Sequence, residues 1–261
     1  DSIVDWGDLS SSHITSATDP DILHNYSGAG TYTVTISGIM EGFCMAGVDA
    51  PCLTAISGGS CHIFKFLGGD VYGYGAFDEC INLVTANIPD WNISQVTDLT
   101  YLFWECHSLE VCHLENWDTS SVTLMVDMWD DATFNLTSID LSNWNTSNVT
   151  SFSDMFTSGG GASALTEIIG TENWDVSSAT NMSGMFEGLD GLLTINLTGW
   201  DTTNVTDMNH MFSDCTSLTT AMDSSIFWDN LGGGTSVLNY TLCFYNATNI
   251  SNYASIPAGW K

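Results

Sequence analysis

Apolar side chains recur in this chain with a period much longer than that of a single helix or strand. Five segments align on it: WNISQVTDLTYLF from Trp91, WDTSSVTLMVDMW from Trp117, WNTSNVTSFSDMF from Trp144, WDVSSATNMSGMF from Trp174 and WDTTNVTDMNHMF from Trp200. The tryptophans stand 26, 27, 30 and 26 residues apart, the length of one structural repeat. The longest step carries Gly159–Gly161, which reads as an inserted loop. In the last copy Val205, Met208, Met211 and Phe212 fall at i, i+3, i+6 and i+7, and Val96, Leu99, Leu102 and Phe103 repeat that spacing. This one-sided pattern predicts a short helical or 3-10 segment. Thr97, Thr123, Thr150, Thr180 and Thr206 precede it and are expected to cap its first turn.

About ten residues further on, Ser138-Ile139-Asp140-Leu141 and Thr194-Ile195-Asn196-Leu197 alternate polar and apolar, which predicts a brief strand. One unit cannot bury its own apolar face, so the copies are expected to stack, with the strands in a parallel ladder. Trp, Met and Phe, once per unit, then form interior columns; their place is core packing rather than a ligand groove. Upstream, Tyr32, Val34 and Ile36 alternate with Thr31, Thr33 and Thr35 after a Gly28–Gly30 turn, a further strand signal.

Composition narrows the function classes. Hydrophobic residues make up 44% of the 261 and mean hydropathy is +0.09, so the chain can bury a sizeable core and is no disordered tail. No apolar run approaches a membrane span, and no basic-then-apolar signal peptide opens the chain, which is expected to be a mature form or a fragment. Net charge is -29, yet the acidic count of 31 is ordinary; what is missing is base, since Lys65 and Lys261 are the only cationic side chains besides histidine. Phosphate backbones are bound through Lys and Arg, so a nucleic-acid partner is excluded and an anionic membrane surface disfavoured. The same absence removes nearly every trypsin-type cleavage site. That suits life among proteases, and compositional drift explains it equally well.

Eight cysteines, Cys44, Cys52, Cys61, Cys80, Cys106, Cys112, Cys215 and Cys243, contain no C-x-x-C pair, so a structural zinc site has no support. In an extracellular chain they are candidates for disulfides, with Cys215–Cys243 the first pairing expected because the other six all precede residue 113. Cys80, Cys106 and Cys215 share one repeat position; ladder neighbours such as Cys80 and Cys106 are either within disulfide reach or buried thiols of one column. Asn-x-Ser/Thr acceptors stand at Asn25, Asn92, Asn135, Asn145, Asn148, Asn181, Asn196, Asn204, Asn239, Asn246 and Asn249. Asn148 and Asn204 belong to the repeat motif itself, but Asn25, Asn135, Asn196, Asn239, Asn246 and Asn249 lie outside it. Covalent N-glycans on several of them are expected, and they would keep a lysine-poor surface soluble.

Sites of chemistry are not legible. The sequence has no G-x-S-x-G, H-E-x-x-H, P-loop or EF-hand pattern. His62, His107, His113 and His210 show no ligand spacing. Asp127, Asp130 and Asp131 cluster, and a solvated acidic loop accounts for them better than a weak calcium site. No catalytic residue, metal ligand or cofactor is expected, and the chain is read as no enzyme.

The motif W-[DN]-x-S-x-V-T-x-M-x-x-M-F followed by C-x-x-L, over roughly residues 65–227, resembles the BspA-type leucine-rich repeat of bacterial and protist surface proteins. DWGD followed by HNYSGAGTYTVTISG is similar to the second half of a PKD-type, Ig-like β-domain, in which His24 would be a packed turn residue. These resemblances imply a cell-surface location, a role in adhesion or display, and no enzymatic activity. The expected fold class is a repeat solenoid of the leucine-rich-repeat type, with short parallel β-strands and short helical or 3-10 turns, preceded by a partial Ig-like β-domain. The expected organisation is residues 1–66 as the partial PKD/Ig-like region, 67–227 as the solenoid and 228–261 as a C-terminal cap.

Because the Ig-like part begins at its midpoint, either earlier residues are missing or a neighbouring copy donates the absent strands and polymerises the protein. The expected function is a non-enzymatic extracellular glycoprotein, a self-associating structural subunit of a cell-surface filament or coat. An adhesin that reads host or neighbour-cell ligands is the alternative. The expected partners are copies of the chain itself and N-glycans.

Overall fold

The computed structural model describes residues 2–15, 19–22, 24–28, 30–38, 52–58, 75–223 and 239–261. Cys44, Cys61, His62, Lys65 and both expected domain boundaries lie outside these residues. At the N-terminus, β1 (Ser2–Asp5) lies between β2 (Ser11–Ile14) and β3 (Thr35–Gly38), antiparallel to both. Further along, β4 (Ala55–Ser57), β5 (Thr85–Asn87) and β6 (Val111–His113) form a parallel sheet in the register Ile56, Ala86, Cys112. A second parallel pair joins β7 (Ser138–Asp140) to β8 (Glu167–Ile169). In β6, β7 and β8 the middle residue points inward and its neighbours face water, the period-2 logic of a half-buried strand.

The expected fold class needs correction. Among the described residues parallel pairing is broken into small sheets of three and two strands, and no α-helix forms. The 3-10 turns stand at Pro20–Ile22, Thr171–Asn173, Tyr253–Ser255 and Ala258–Trp260, none of them where the apolar spacing placed one. These residues do not build a leucine-rich-repeat solenoid with a helical layer. Nor do they build a two-sheet Ig-like β-domain, since residues 2–38 contribute one three-stranded sheet.

The physical reason lies in the backbone of each motif copy. Tyr101, Asp127, Asp154 and His210 have φ between 51 and 59°, and Gly184 takes the same place at 61°. Four residues later Glu105, Asp131, Asp214 and Gly188 are left-handed again. A left-handed residue every fourth position ends a right-handed helix before it can close two turns. The apolar residues keep their one-sided spacing, but along linked turns.

The amides released in this way bond to the following copy. Leu99, Tyr101, Phe103 and Glu105 donate their N–H groups to the carbonyls of Leu124, Val126, Met128 and Asp130, at 2.9–3.0 Å. Met182, Gly184, Phe186 and Gly188 do the same to Asp207, Asn209, Met211 and Ser213 at 2.8–2.9 Å. Single parallel bridges run Asp98, Leu124, Ser151, Asn181, Asp207 and Asn239. The threonines expected to cap helices instead join this system: Thr123, Thr150, Thr180 and Thr206 each donate both N–H and Oγ1 to the threonine carbonyl one copy earlier. Of the two strands read from alternation, Ser138–Asp140 forms. Thr194–Leu197 joins no sheet, and the Ile195 N–H is taken by the Thr220 hydroxyl at 3.0 Å.

Register between copies places like residues over like. A column of rings runs Phe77, Phe103, Trp129, Phe156, Phe186, Phe212 and Phe244, with neighbouring centroids 5.0–6.1 Å apart, and Trp260 ends it at 6.2 Å. Beside it the indoles of Trp117 and Trp144, and of Trp174 and Trp200, lie parallel. Each of these indole N–H groups donates to a carbonyl in the previous copy, so burying it leaves no polar atom stranded. Such ring pairs add about 0.5–1.5 kcal/mol each beyond the apolar area they bury.

Close approach between copies predicts a graded response at two glycines. Gly170 and Gly199 are both left-handed, at φ 94 and 89°, but a Cβ on Gly170 would strike the Ser142 backbone while one on Gly199 meets open space. Gly199→Ala is expected to cost about 1–2 kcal/mol, the left-handed backbone alone. Gly170→Ala adds overpacking of about 1–3 kcal/mol. Urea unfolding midpoints check this: equal losses at the two sites would refute the close approach.

Candidate functional site

The sequons divide by what their side chains already do. Asn92 and Asn145 follow a tryptophan, and each Oδ1 accepts from both the N–H and the hydroxyl of the serine two residues on, with hydroxyl contacts of 2.8 Å to Ser94 and Ser147. Asn196 accepts from the Thr198 N–H at 3.1 Å. All three are exposed, as is Asn25, and the Nδ2 of each donates to no acceptor among the described residues. The other pattern is the reverse. Asn135, Asn148, Asn204 and Asn249 use Nδ2 to bond carbonyls of the preceding copy, His107, Ser120, Ser177 and Thr216, at 2.6–2.9 Å. Asn239 and Asn246 donate to Asp207 and Asp214, and Asn181 is half-buried on the bridge line, accepting from the Ser183 N–H.

Six cysteines are among the described residues, and all are thiols. Cys52 is exposed; Cys80, Cys106, Cys112, Cys215 and Cys243 are buried. The expected Cys215–Cys243 pairing is not formed: the Cys215 thiol donates to the Phe186 carbonyl at 3.0 Å. Cys106 makes the matching bond to Phe77 at 3.1 Å, so Cys80 and Cys106 take the buried-thiol alternative. Burial pushes the Cys112 thiol up to about 12 and holds those of Cys106, Cys215 and Cys243 well above the usual thiol range.

The acidic cluster is larger than the sequence suggests. Asp127 and Asp154 occupy the same left-handed place in successive copies, and Asp130 and Asp131 follow in the next turn. Burial, then the carboxylates of Asp154 and Asp130, push Asp127 up to about 7. Asp130 rises to about 6, chiefly by burial and then by Asp131 and Asp154, although the Trp104 indole donates to it at 3.0 Å. Further along, His210 and Glu187 pair at 3.1 Å. No group of three metal-binding side chains is assembled among the described residues. His107 stacks on Phe134, and His113 lies 3.6 Å from Glu115.

A second constellation, at the N-terminal sheet, follows no sequence motif. His24 Nε2 lies 2.8 Å from Asp8 and its ring stacks on Trp6 at 4.8 Å; Tyr26 and Tyr32 stack at 4.1 Å beside it. The Ser10 hydroxyl and then His24 hold the Asp8 carboxyl down to about 2. Its members are scattered from residue 6 to residue 32, and only the turn brings them together. A depression lined by Asp90, Trp91, Asn92, Ser94, Asn116 and Asp118 lies at the first tryptophan corner.

Stacked copies that carry a recurring tryptophan corner, a left-handed turn and an inter-copy ladder define a repeat-built protein class. Residues 74–166 and 159–255 match the family described as "Mycoplasma protein of unknown function, DUF285", and the chain belongs to that family. No curated protein and no solved structure matches the chain. No helix among the described residues is long and apolar enough to cross a membrane.

A carboxyl whose folded pKa is raised above the unfolded value of about 3.9 favours folding when protonated. The contribution of Asp127 and Asp130 is therefore complete below about pH 4 and is lost as pH rises to 6–7. Asp127→Asn, a residue that tolerates the left-handed backbone, is expected to raise the melting temperature at pH 8 by a few degrees and barely at pH 4. Equal shifts at both pH values, read by calorimetry, would remove the electrostatic account. In thiol labelling with peptide mapping, Cys52 is expected to alkylate in the native protein, and Cys80, Cys106, Cys112, Cys215 and Cys243 only after unfolding without reductant. Failure of these five to react in denaturant would mean they are oxidised.

Proposed function

We propose that this chain is a non-enzymatic extracellular glycoprotein that self-associates as a structural subunit of a cell-surface filament or coat. The observation that supports the reading best is the edge of the N-terminal sheet, beside a ring column that runs through stacked copies. At the C-terminal end the ring column finishes on Trp260, whose carbonyl takes the Phe244 N–H at 2.8 Å and whose ring stacks on Tyr240. That end is closed. At the N-terminal sheet β2 and β3 each pair with β1 alone among the described residues, and Ile3, Val34 and Ile36 are 53, 43 and 39% exposed. An edge strand beside exposed apolar side chains is a template for another strand, and a second copy of the chain supplies one. The sequons suit synthesis for the outside of the cell.

The adhesin reading has one observation in its favour: Tyr26 and Tyr32, stacked and partly exposed over the Asp8–His24 pair, offer an aromatic platform to a ligand. Charge separates the two. Copies carrying a net -29 repel one another, and salt screens that repulsion. Light scattering and electron microscopy of the native protein at micromolar concentration are expected to show ordered polymers that grow as ionic strength rises. A monodisperse monomer at every ionic strength would sink self-association and leave the adhesin.

A further inference from the structure

We infer that, within the repeat copies, the glycans of this protein are carried on the corner asparagines Asn92, Asn145 and Asn196, and not on the ladder asparagines Asn135, Asn148, Asn204 and Asn249. The inference rests on the glycoprotein reading above and assigns its sites. The linkage forms between Nδ2 and the anomeric carbon of a phosphate-activated glycosyl donor. The donor's anomeric C–O bond breaks, the phosphate leaves with the electron pair, and Nδ2 gives up one of its two protons to a base of the transferring enzyme. The nitrogen must therefore be accessible, with room beside it for a sugar ring.

At the corners only the oxygen is used. Asp118, Asp175 and Asp201 stand where Asn92 and Asn145 do and accept from Ser120, Ser177 and Thr203 at 3.0–3.1 Å. Asp140 is the counterpart of Asn196 and accepts from Ser142 at 3.0 Å. The turn needs an acceptor and nothing else, so a carboxylate serves as well as an amide. Where the residue is asparagine, Nδ2 is left to solvent. At Asn92 and Asn145 the sequon hydroxyl is already bonded to the asparagine oxygen.

At the ladder positions the requirement is the opposite. Where two copies carry Asn148 and Asn204, two others carry Ser121 and Ser178, whose hydroxyls donate to Ser94 and Ser147 carbonyls at 2.7 Å. Asn and Ser alternate there because both are donors; Asp, which is not, is absent from those four positions. A sugar ring on such a nitrogen would sit where two copies approach to about 4.8 Å, the spacing of paired strands, and would have to part them.

The test is glycopeptide mass spectrometry on the folded, secreted protein from a host with an oligosaccharyltransferase, using chymotrypsin because only Lys65 and Lys261 offer tryptic sites. Occupancy at Asn92, Asn145 and Asn196 is expected to exceed that at the four ladder sites several-fold. Equal or reversed occupancy overturns the assignment while leaving the glycoprotein reading intact. A folded chain bare at every sequon overturns the glycoprotein reading and the assignment with it.

Variants give a second arm. Asn148→Ser with Asn204→Ser installs the donor other copies use and removes two sequons; mass on a gel and melting temperature are expected to stay unchanged. Loss of glycan mass in that variant would overturn the assignment. Asn92→Asp with Asn145→Asp keeps the turn and is expected to remove two glycans; unchanged mass would overturn it equally.

Discussion

Register between successive motif copies is the constraint on which the rest of the molecule depends. In each turn segment, left-handed residues such as Tyr101 and Glu105 swing alternate amides out of any helix and toward the next copy. A one-residue slip would break that series of N–H to carbonyl bonds and also misplace the Phe and Trp rings, which stack only because equivalent residues lie over one another. The indole N–H groups, the threonine hydroxyls and the ladder asparagines all spend their donors on carbonyls of the preceding copy. Backbone and side chains thus specify the same offset by independent means, the agreement between levels that makes one arrangement win.

The period and the interior residues were legible in the sequence. Trp117, Met125, Phe156 and Met211 are fully or almost fully buried, as a motif that repeats them once per copy demands. The local backbone was not legible, because apolar spacing reports which side a residue faces and not the handedness of the turn that puts it there. Val205, Met208, Met211 and Phe212 satisfy a helix template and a chain of turns equally; Gly184 and the run of aspartates at left-handed places were the available signal. Thr150 reads as a cap by position, but there is no helix to cap, and its hydroxyl goes to Thr123. Sequons show the same limit. Asn145 and Asn148 are identical as motifs three residues apart, and only their partners reveal that one uses its oxygen and the other its nitrogen.

The acidic composition takes on structure once the turns are known. Asp and Asn tolerate left-handed backbone better than other side chains, so a repeat built on such turns recruits them to fixed places. Corner aspartates gain from this: the Ser177 and Thr203 hydroxyls and amides hold Asp175 and Asp201 below the usual carboxylate range, and their charge faces water. Asp127 and Asp130 lose by it: they are half-buried, and burial together with neighbouring carboxylates, Asp154 beside both, drives them up rather than down.

The column opens on Tyr101 and holds aspartate in only two successive copies. After Asp127 and Asp154 the same left-handed place passes to Gly184, which needs no side chain to adopt it, and then to His210. His210 reaches back to Glu187 at 3.1 Å, bringing an ionisable nitrogen to a carboxyl that burial pushes up. With Lys and Arg reduced to Lys65 and Lys261, histidine is nearly the only cationic side chain the chain has for that purpose. The left-handed place is held in turn by Tyr101, Asp127, Asp154, Gly184 and His210, and only between Asp127 and Asp154 does it set carboxylate beside carboxylate, where that neighbour adds to burial in driving Asp127 up.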